Sequence, residues 1–266
     1  MKTTNAIDAL NHKTMRLAVD EYSAMVDEAL CEAERQALDG IRERVKDKRI
    51  LDLGIGAGRT VGPLRAISKN YIGVDYVQEM VDHCRSRFPE ANLQIGDARS
   101  LPQFADASFD LVVFACNGIC MVDHEGRLAI LREVHRQLAP GGIFVFSTRN
   151  RNSRAYHAWF LFPEFQFSRN PLKLAVRSVR FLTQTIRRAG NRLKYRGHEV
   201  KNAGYAIIND VYHHYRVMLY FITLSEQRRQ LAQAGFKPDA RAYRLSGELV
   251  TDDCTDETLT LVAEKI

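Results

Sequence analysis

The chain has 266 residues, 45% of them hydrophobic and 26% charged, with a formal net charge of +6. These proportions fit a globular protein of one domain with an elaboration and exclude a disordered or fibrous chain. No apolar run approaches the ~20 residues of a bilayer span, and residues 1–5 lack the apolar core of an export signal, so a cytoplasmic location is expected.

Residues 13–46 carry mixed charge at helical spacing and predict two helices, over 15–30 and 34–46, within an N-terminal unit of residues 1–47. Tyr22 falls in the first of them. Residues 48–60 then organise the chain. Ile50, Leu51 and Leu53 predict a short buried strand, followed by Gly54, Gly56 and Gly58, which let the backbone turn tightly and approach a ligand. The helix predicted over 60–68, with Pro63 tolerated in its first turn, offers free N–H groups toward that turn. A second strand, 71–75, ends at Asp75, whose carboxylate can accept two ribose hydroxyls. The third glycine of a dinucleotide-binding G-x-G-x-x-G would fall at Arg59. The spacing present is G-x-G-x-G with Asp52 inside the strand, which better suits a ligand with no pyrophosphate and a polar amino-acid end.

A helix over 77–88 stops before Pro89, with Tyr76 and Met80 following the acidic residue. Strand 92–96 runs into Asp97-Ala98-Arg99. Strand 109–115 is nearly all apolar, hence buried on both faces. It opens into Cys116-Asn117-Gly118-Ile119, and ligands of a doubly wound sheet sit at such carboxyl ends, which puts Asn117 near the reacting group. Helix 125–138, the turn Ala139-Pro140-Gly141-Gly142 and strand 143–148 complete five βα units.

Leu51-Asp52-Leu53-Gly54-Ile55-Gly56-Ala57-Gly58, with Leu138-Ala139-Pro140-Gly141-Gly142-Ile143-Phe144 before the fifth strand, resembles the class I S-adenosylmethionine-dependent methyltransferases. Gln230-Leu231-Ala232-Gln233-Ala234-Gly235-Phe236 resembles their last helix and turn. The resemblance implies an α/β, doubly wound, Rossmann-like sheet of seven strands, mostly parallel with the last antiparallel, over residues 48–149 and 225–266. It implies S-adenosyl-L-methionine as cofactor and S-adenosyl-L-homocysteine as product. Cofactor contacts carried over are Asp52, Gly54, Gly56, Gly58, Arg59, Asp75, Tyr76, Met80, Asp97, Ala98 and Asn117, with Asp97 accepting from the adenine amino group. Tyr22 either lines the site or belongs to the core.

Residues 150–224 form an insertion too long for a plain loop, expected to be a largely helical lid that sets acceptor specificity. Residues 149–201 hold 13 Lys/Arg against Glu164 and Glu199, a balance of +11, while the remaining 25 basic and 30 acidic residues give −5. Leu172, Val176, Val179, Ile186, Ala189 and Leu193 share one helical face, beside Lys173, Arg177, Arg180, Arg187 and Arg188. This basic amphipathic helix, within 172–196, could be a solvated lid, or meet an anionic acceptor, an anionic membrane surface or RNA. In 205–220, apolar strands flank a polar cluster in which His213 or His214 could act as a base oriented by Asp210. Arg149, Asp210, Tyr215 and Tyr22 are the candidate acceptor contacts.

The insertion and the segment after strand five resemble small-molecule and glycan methyltransferases of bacterial polysaccharide gene clusters. That implies a small-molecule or glycan acceptor, for instance a sugar hydroxyl or a phosphate-linked sugar. RNA methylation through the basic insertion, or cofactor binding without catalysis, stay open as alternatives. Cys116-Asn117-Gly118-Ile119 stands where many enzymes that methylate amino groups of nucleic acids and proteins carry Asn-Pro-Pro-Tyr. Of the five cysteines only Cys116 and Cys120 are close in sequence, so neither a disulfide framework nor a metal site is expected.

Overall fold

The computed structural model describes residues 2–23 and 30–266. Four helices lead in: α1 (Lys2–Arg16), α2 (Val19–Ser23), α3 (Glu32–Asp39) and α4 (Arg42–Val45). The helix expected over 15–30 is instead the end of α1 followed by α2, and its remainder lies outside the described residues. The one expected over 34–46 is divided at Gly40, whose N–H caps α3 by donating to the Gln36 and Leu38 carbonyls.

The alternating units then follow as β1 (Ile50–Leu53), α5 (Val61–Ile67), β2 (Tyr71–Asp75), α6 (Gln78–Arg87), β3 (Asn92–Ile95), β4 (Phe109–Phe114), α7 (His124–Gln137) and β5 (Leu138–Asn150). The insertion contributes α8 (Arg154–His157), α9 (Pro171–Tyr195), β6 (Val200–Lys201), β7 (Tyr205–Asp210) and β8 (Val217–Ile222). The chain closes with α10 (Leu224–Gln233), β9 (Arg241–Arg244), β10 (Leu249–Val250) and β11 (Thr258–Glu264).

The main path of the sheet runs β10-β9-β11-β5-β4-β1-β2-β3. Seven of these strands make the expected α/β core, parallel except for β11, which runs antiparallel between β5 and β9. Among the described residues the sheet has 11 strands, more than the seven expected. To the long helix of the insertion the structure adds the β7–β8 hairpin, which joins this sheet. β4 stops at Phe114, whereas β5 continues to Asn150. The open edge is taken by β8, with Arg149 opposite Phe221 and Asn150 opposite Ile222. Every residue of β8 is buried, so its apolar run is satisfied only inside the sheet.

Helices cover both faces. One apolar cluster includes Leu53, Phe146 and Leu131 of α7; the other includes Ile50, Val145 and Leu64 of α5. α1 lies on the hairpin, where Asn11 Nδ2 donates to the carbonyls of Met121 (2.7 Å) and Met218 (2.8 Å). The N-terminal helix is thereby tied to the carboxyl end of the sheet. Among the described residues no helix is long and apolar enough to cross a membrane.

Candidate functional site

Two cavities open side by side at the carboxyl ends of β1, β2, β4 and β5. The first, about 580 Å³, has a floor of Gly54, Gly56, Asp75 and Ala115. Its apolar walls include Val77, Met80, Ile95 and Phe114, and His12 and Met15 of α1 cover it. The second, about 870 Å³, is bounded by Glu34, Arg59, Asn117, Arg149, His213 and Glu257, among others. Tyr22, Cys116 and Met121 line both and form the waist between them. Each volume is of the size that holds a small ligand.

In the first cavity the glycine turn acts through its backbone. A Cβ at Gly54, which has φ +63°, would lie 2.6 Å from Phe114 Cε2. One at Gly56, φ +52°, would face the cavity, with Tyr22 Cδ1 at 3.8 Å as its nearest neighbour. Asp75 is buried, accepting from the N–H of Gly56 and of Val77, both at 2.9 Å. Burial raises its pKa, and those amide bonds oppose the rise. A carboxylate offers about four acceptor positions, so capacity remains for a ligand hydroxyl. Tyr76, Met80, Asp97 and Ala98 line the same cavity. Arg99 grips the Asp97 carboxylate (2.6 Å), pairs with Asp8, and holds Asp97 ionised against the effect of burial.

Four of the expected cofactor contacts lie elsewhere. Asp52 bounds neither cavity; its Oδ2 accepts from Thr60 (2.6 Å) and Tyr71 (2.8 Å), and its Oδ1 is buried without a partner. Burial pushes its pKa up to about 7. Gly58 faces Cys84 and Phe88 of the α6 layer. Arg59 lines the second cavity, paired with Glu34 at 2.7 Å and with Nη2 2.8 Å from Cys116 Sγ. Asn117 also lines the second cavity; its N–H donates to Ser147 Oγ (2.6 Å), and its Oδ1 is buried and unpartnered.

The two histidines separate. His213 lines the second cavity with Nε2 3.4 Å from the Tyr22 hydroxyl and Nδ1 3.0 Å from Glu21 Oε2. A carboxylate only accepts, so Nδ1 donates to Glu21, and Nε2 is directed to the waist, facing the Tyr22 hydroxyl. Burial raises the Tyr22 pKa, so its hydroxyl keeps its proton. His214 lines neither cavity and sits near Arg187 and Arg188 of α9. Burial first, then those two cations, lower its pKa.

Asp210 does not orient a histidine: it pairs with Arg149 (3.1 Å) and accepts from the Tyr212 N–H (2.9 Å). Glu21 takes the orienting place, a residue nothing in the local sequence singles out beyond its position before Tyr22. Tyr215 lies away from both cavities, stacked on Phe160, with its hydroxyl accepting from the Leu161 N–H. Arg149 lines the second cavity but is neutralised there by Asp210 and, at 3.6 Å, by Glu257. Glu34, Ser147, Tyr212 and Glu257 complete the wall without any sequence motif to announce them.

The family described as "Methyltransferase domain" matches residues 50–142. That match runs from β1 into β5 and takes in the glycine turn and the floor of the first cavity. A probable S-adenosylmethionine-dependent methyltransferase of Mycolicibacterium smegmatis is 32% identical over 112 residues, 42% of this chain and 42% of that protein. The chain thus spans less than half the length of that curated relative. Among solved structures, the 1,6-didemethyltoxoflavin-N1-methyltransferase of Burkholderia thailandensis, with 1,6-didemethyltoxoflavin and S-adenosylhomocysteine bound, superposes with a TM-score of 0.60. It is 13% identical, over 98% of this chain and 90% of that one. An S-adenosylmethionine-dependent methyltransferase from Mesorhizobium loti gives 0.58 at 21% identity, over 90% and 100%. At these identities the likeness is one of fold.

Proposed function

We propose that this protein is an S-adenosylmethionine-dependent methyltransferase that methylates a hydroxyl of a small, neutral or cationic acceptor. The observation that carries the reading is the Glu21–His213–Tyr22 chain at the waist between two cavities. The first cavity fits the cofactor: an open backbone at Gly56 and a buried carboxylate at Asp75 with acceptor positions to spare. When bound there, the cofactor supplies an electrophilic methyl group on a sulfonium. The acceptor belongs in the second cavity, where His213 Nε2 exchanges the Tyr22 hydroxyl for that of the acceptor and takes its proton, while Glu21 holds the ring and offsets its developing charge. Tyr22, Cys116 and Met121 close the passage around the reacting atoms, so that positioning contributes alongside the base.

The character of the acceptor follows from the charges. Arg59 and Arg149 are both paired with carboxylates, and Glu21, Asp256 and Glu257 stand along the wall. No residue of α9 lines either cavity. A phosphate-linked acceptor therefore finds little support, and the insertion contributes to the second cavity through Tyr212, His213, Val217 and Leu219.

Calorimetry with S-adenosylhomocysteine, then transfer of labelled methyl from S-adenosylmethionine to panels of hydroxyl and amine compounds, tests the reading. Binding of the product and labelling of hydroxyl compounds are expected, with labelling lost in His213→Ala. Labelling of amines that survives His213→Ala would overturn the hydroxyl assignment. A failure to bind S-adenosylhomocysteine would overturn the whole reading.

A further inference from the structure

The longest helix of the molecule turns its apolar side outward. In α9, Leu172, Val176, Val179, Leu182, Ile186 and Leu193 are 59–75% exposed. Positions 172, 179, 186 and 193 repeat every seven residues, so the stripe runs nearly straight for about 30 Å at 1.5 Å per residue. Lys173, Arg180, Arg187 and Lys194 follow each of these positions by one and form a parallel row of cations along its border. The opposite side fixes α9 to the body: Arg192 is buried and donates to the carbonyls of Trp159 (3.0 Å) and Asn209 (3.2 Å). Arg177 donates to the Phe167 carbonyl (2.8 Å), so residues 159–167 run back alongside the helix. That segment exposes Trp159, Phe162 and Phe167 by 61–71%. Among the described residues nothing covers this surface.

The charge decides between occupants. α9 contains seven Lys/Arg and no Asp/Glu. A second copy of the chain would set its seven cations against these seven, whereas anionic headgroups offset them. A stripe of branched aliphatics with a cationic border and nearby Trp and Phe is the pattern of a helix lying in a bilayer interface. We propose that α9 and residues 159–167 dock this protein on the surface of an anionic phospholipid bilayer. The apolar stripe enters the acyl boundary and the Lys173–Arg180–Arg187 row meets the headgroups. The inference stands apart from the methyl-transfer reading, because α9 lines neither cavity.

Trp159 is the single tryptophan of the chain, so it reports on this surface directly. The full chain is titrated with vesicles of phosphatidylcholine alone or mixed with phosphatidylglycerol, reading tryptophan emission and co-sedimentation. A blue shift and sedimentation with the anionic vesicles only are expected, weakening as salt is raised. Val179→Asp with Ile186→Asp, and separately Lys173→Glu with Arg180→Glu and Arg187→Glu, should each weaken vesicle binding by about tenfold or more. All five residues are exposed, and circular dichroism with S-adenosylhomocysteine calorimetry checks that the variants stay folded. Absence of a shift, or equal binding to both vesicle types, overturns the proposal. So does a dimer in light scattering that the aspartate variant dissolves, or a shift produced by RNA and not by vesicles.

Discussion

The two cavities that meet at Tyr22 are built by opposite means. In the first, the left-handed backbone positions at the floor are Gly54 and Gly56, which adopt them without a Cβ penalty. In the second, positive φ falls on Cys116 (52°), Asn117 (58°) and His213 (47°), none of them glycine, and continues into His214 (58°) and Tyr215 (61°), which line neither cavity. Such a conformation costs an L-residue roughly 1–2 kcal/mol, so it persists only where neighbours hold it. Ser147 holds Asn117, Asn209 Nδ2 donates to the carbonyls of Tyr215 (2.9 Å) and Val217 (3.0 Å), and Arg216 Nε donates to that of His213 (3.0 Å). The proposed cofactor half thus follows from the fold, beside a proposed acceptor half that is shaped locally against backbone preference.

The largest expected effect tests the first half. Gly56→Val puts a β-branched residue at φ +52° and fills the side where the backbone meets the ligand. No S-adenosylhomocysteine binding should remain in calorimetry, while the far-ultraviolet spectrum stays that of the parent. Affinity within about tenfold of the parent would break the contrast, because the glycine would then serve the turn alone. The next effect tests the second half. His213→Ala should lower turnover by about 10²–10⁴-fold, the contribution of a positioned base, with cofactor affinity unchanged.

The same contrast explains what the chain revealed before its fold was known. The cofactor half depends on residues close in sequence: the glycines and the strand end at Asp75 set the floor, and Tyr76 and Met80 follow within one turn. Periodicity and spacing report such arrangements directly. The acceptor half joins Glu21 to His213 across 192 positions and Arg59 to Glu34 across 25, and no local pattern encodes either pair. Asp210 lay close enough in sequence to suggest itself as the partner of His213. The β7–β8 register gave it to Arg149 instead. The segment Val217–Ile222 shows its strand character by its apolar run, but not that it would extend the core sheet beside β5.

A smaller effect belongs to Asp75. Its carboxylate joins the glycine turn to the start of α6 through the Gly56 and Val77 N–H groups. Asp75→Ala should weaken S-adenosylhomocysteine binding by about 1–3 kcal/mol, the range for hydrogen bonds to a charged group, with some loss of thermal stability from the two freed amides. Unchanged affinity in calorimetry would mean that the carboxylate only shapes the turn, and the cofactor half would then be less a product of motif chemistry than the geometry implies.

His214 should give the smallest effect and the sharpest internal control. It neighbours His213, shares its left-handed backbone, and has a ring outside both cavities with Nδ1 buried and unpartnered. His214→Gln should therefore leave turnover within about twofold of the parent, whereas His213→Ala removes most of it. Its trace should be found in stability. Burial and the nearby Arg187 and Arg188 lower the pKa of His214 in the fold, so the unfolded chain binds its proton more readily. Its contribution is present above the unfolded value of about 6.5 and is lost as pH falls through the lowered folded value. Because the ring is partly exposed, the change should stay below about 1 kcal/mol. Urea midpoints of parent and His214→Gln at pH 7.5 and pH 5 measure it: the parent should lose slightly more on acidification. A turnover loss in His214→Gln as large as in His213→Ala would show that the turn works as a unit, and would end the assignment of the base to His213 alone.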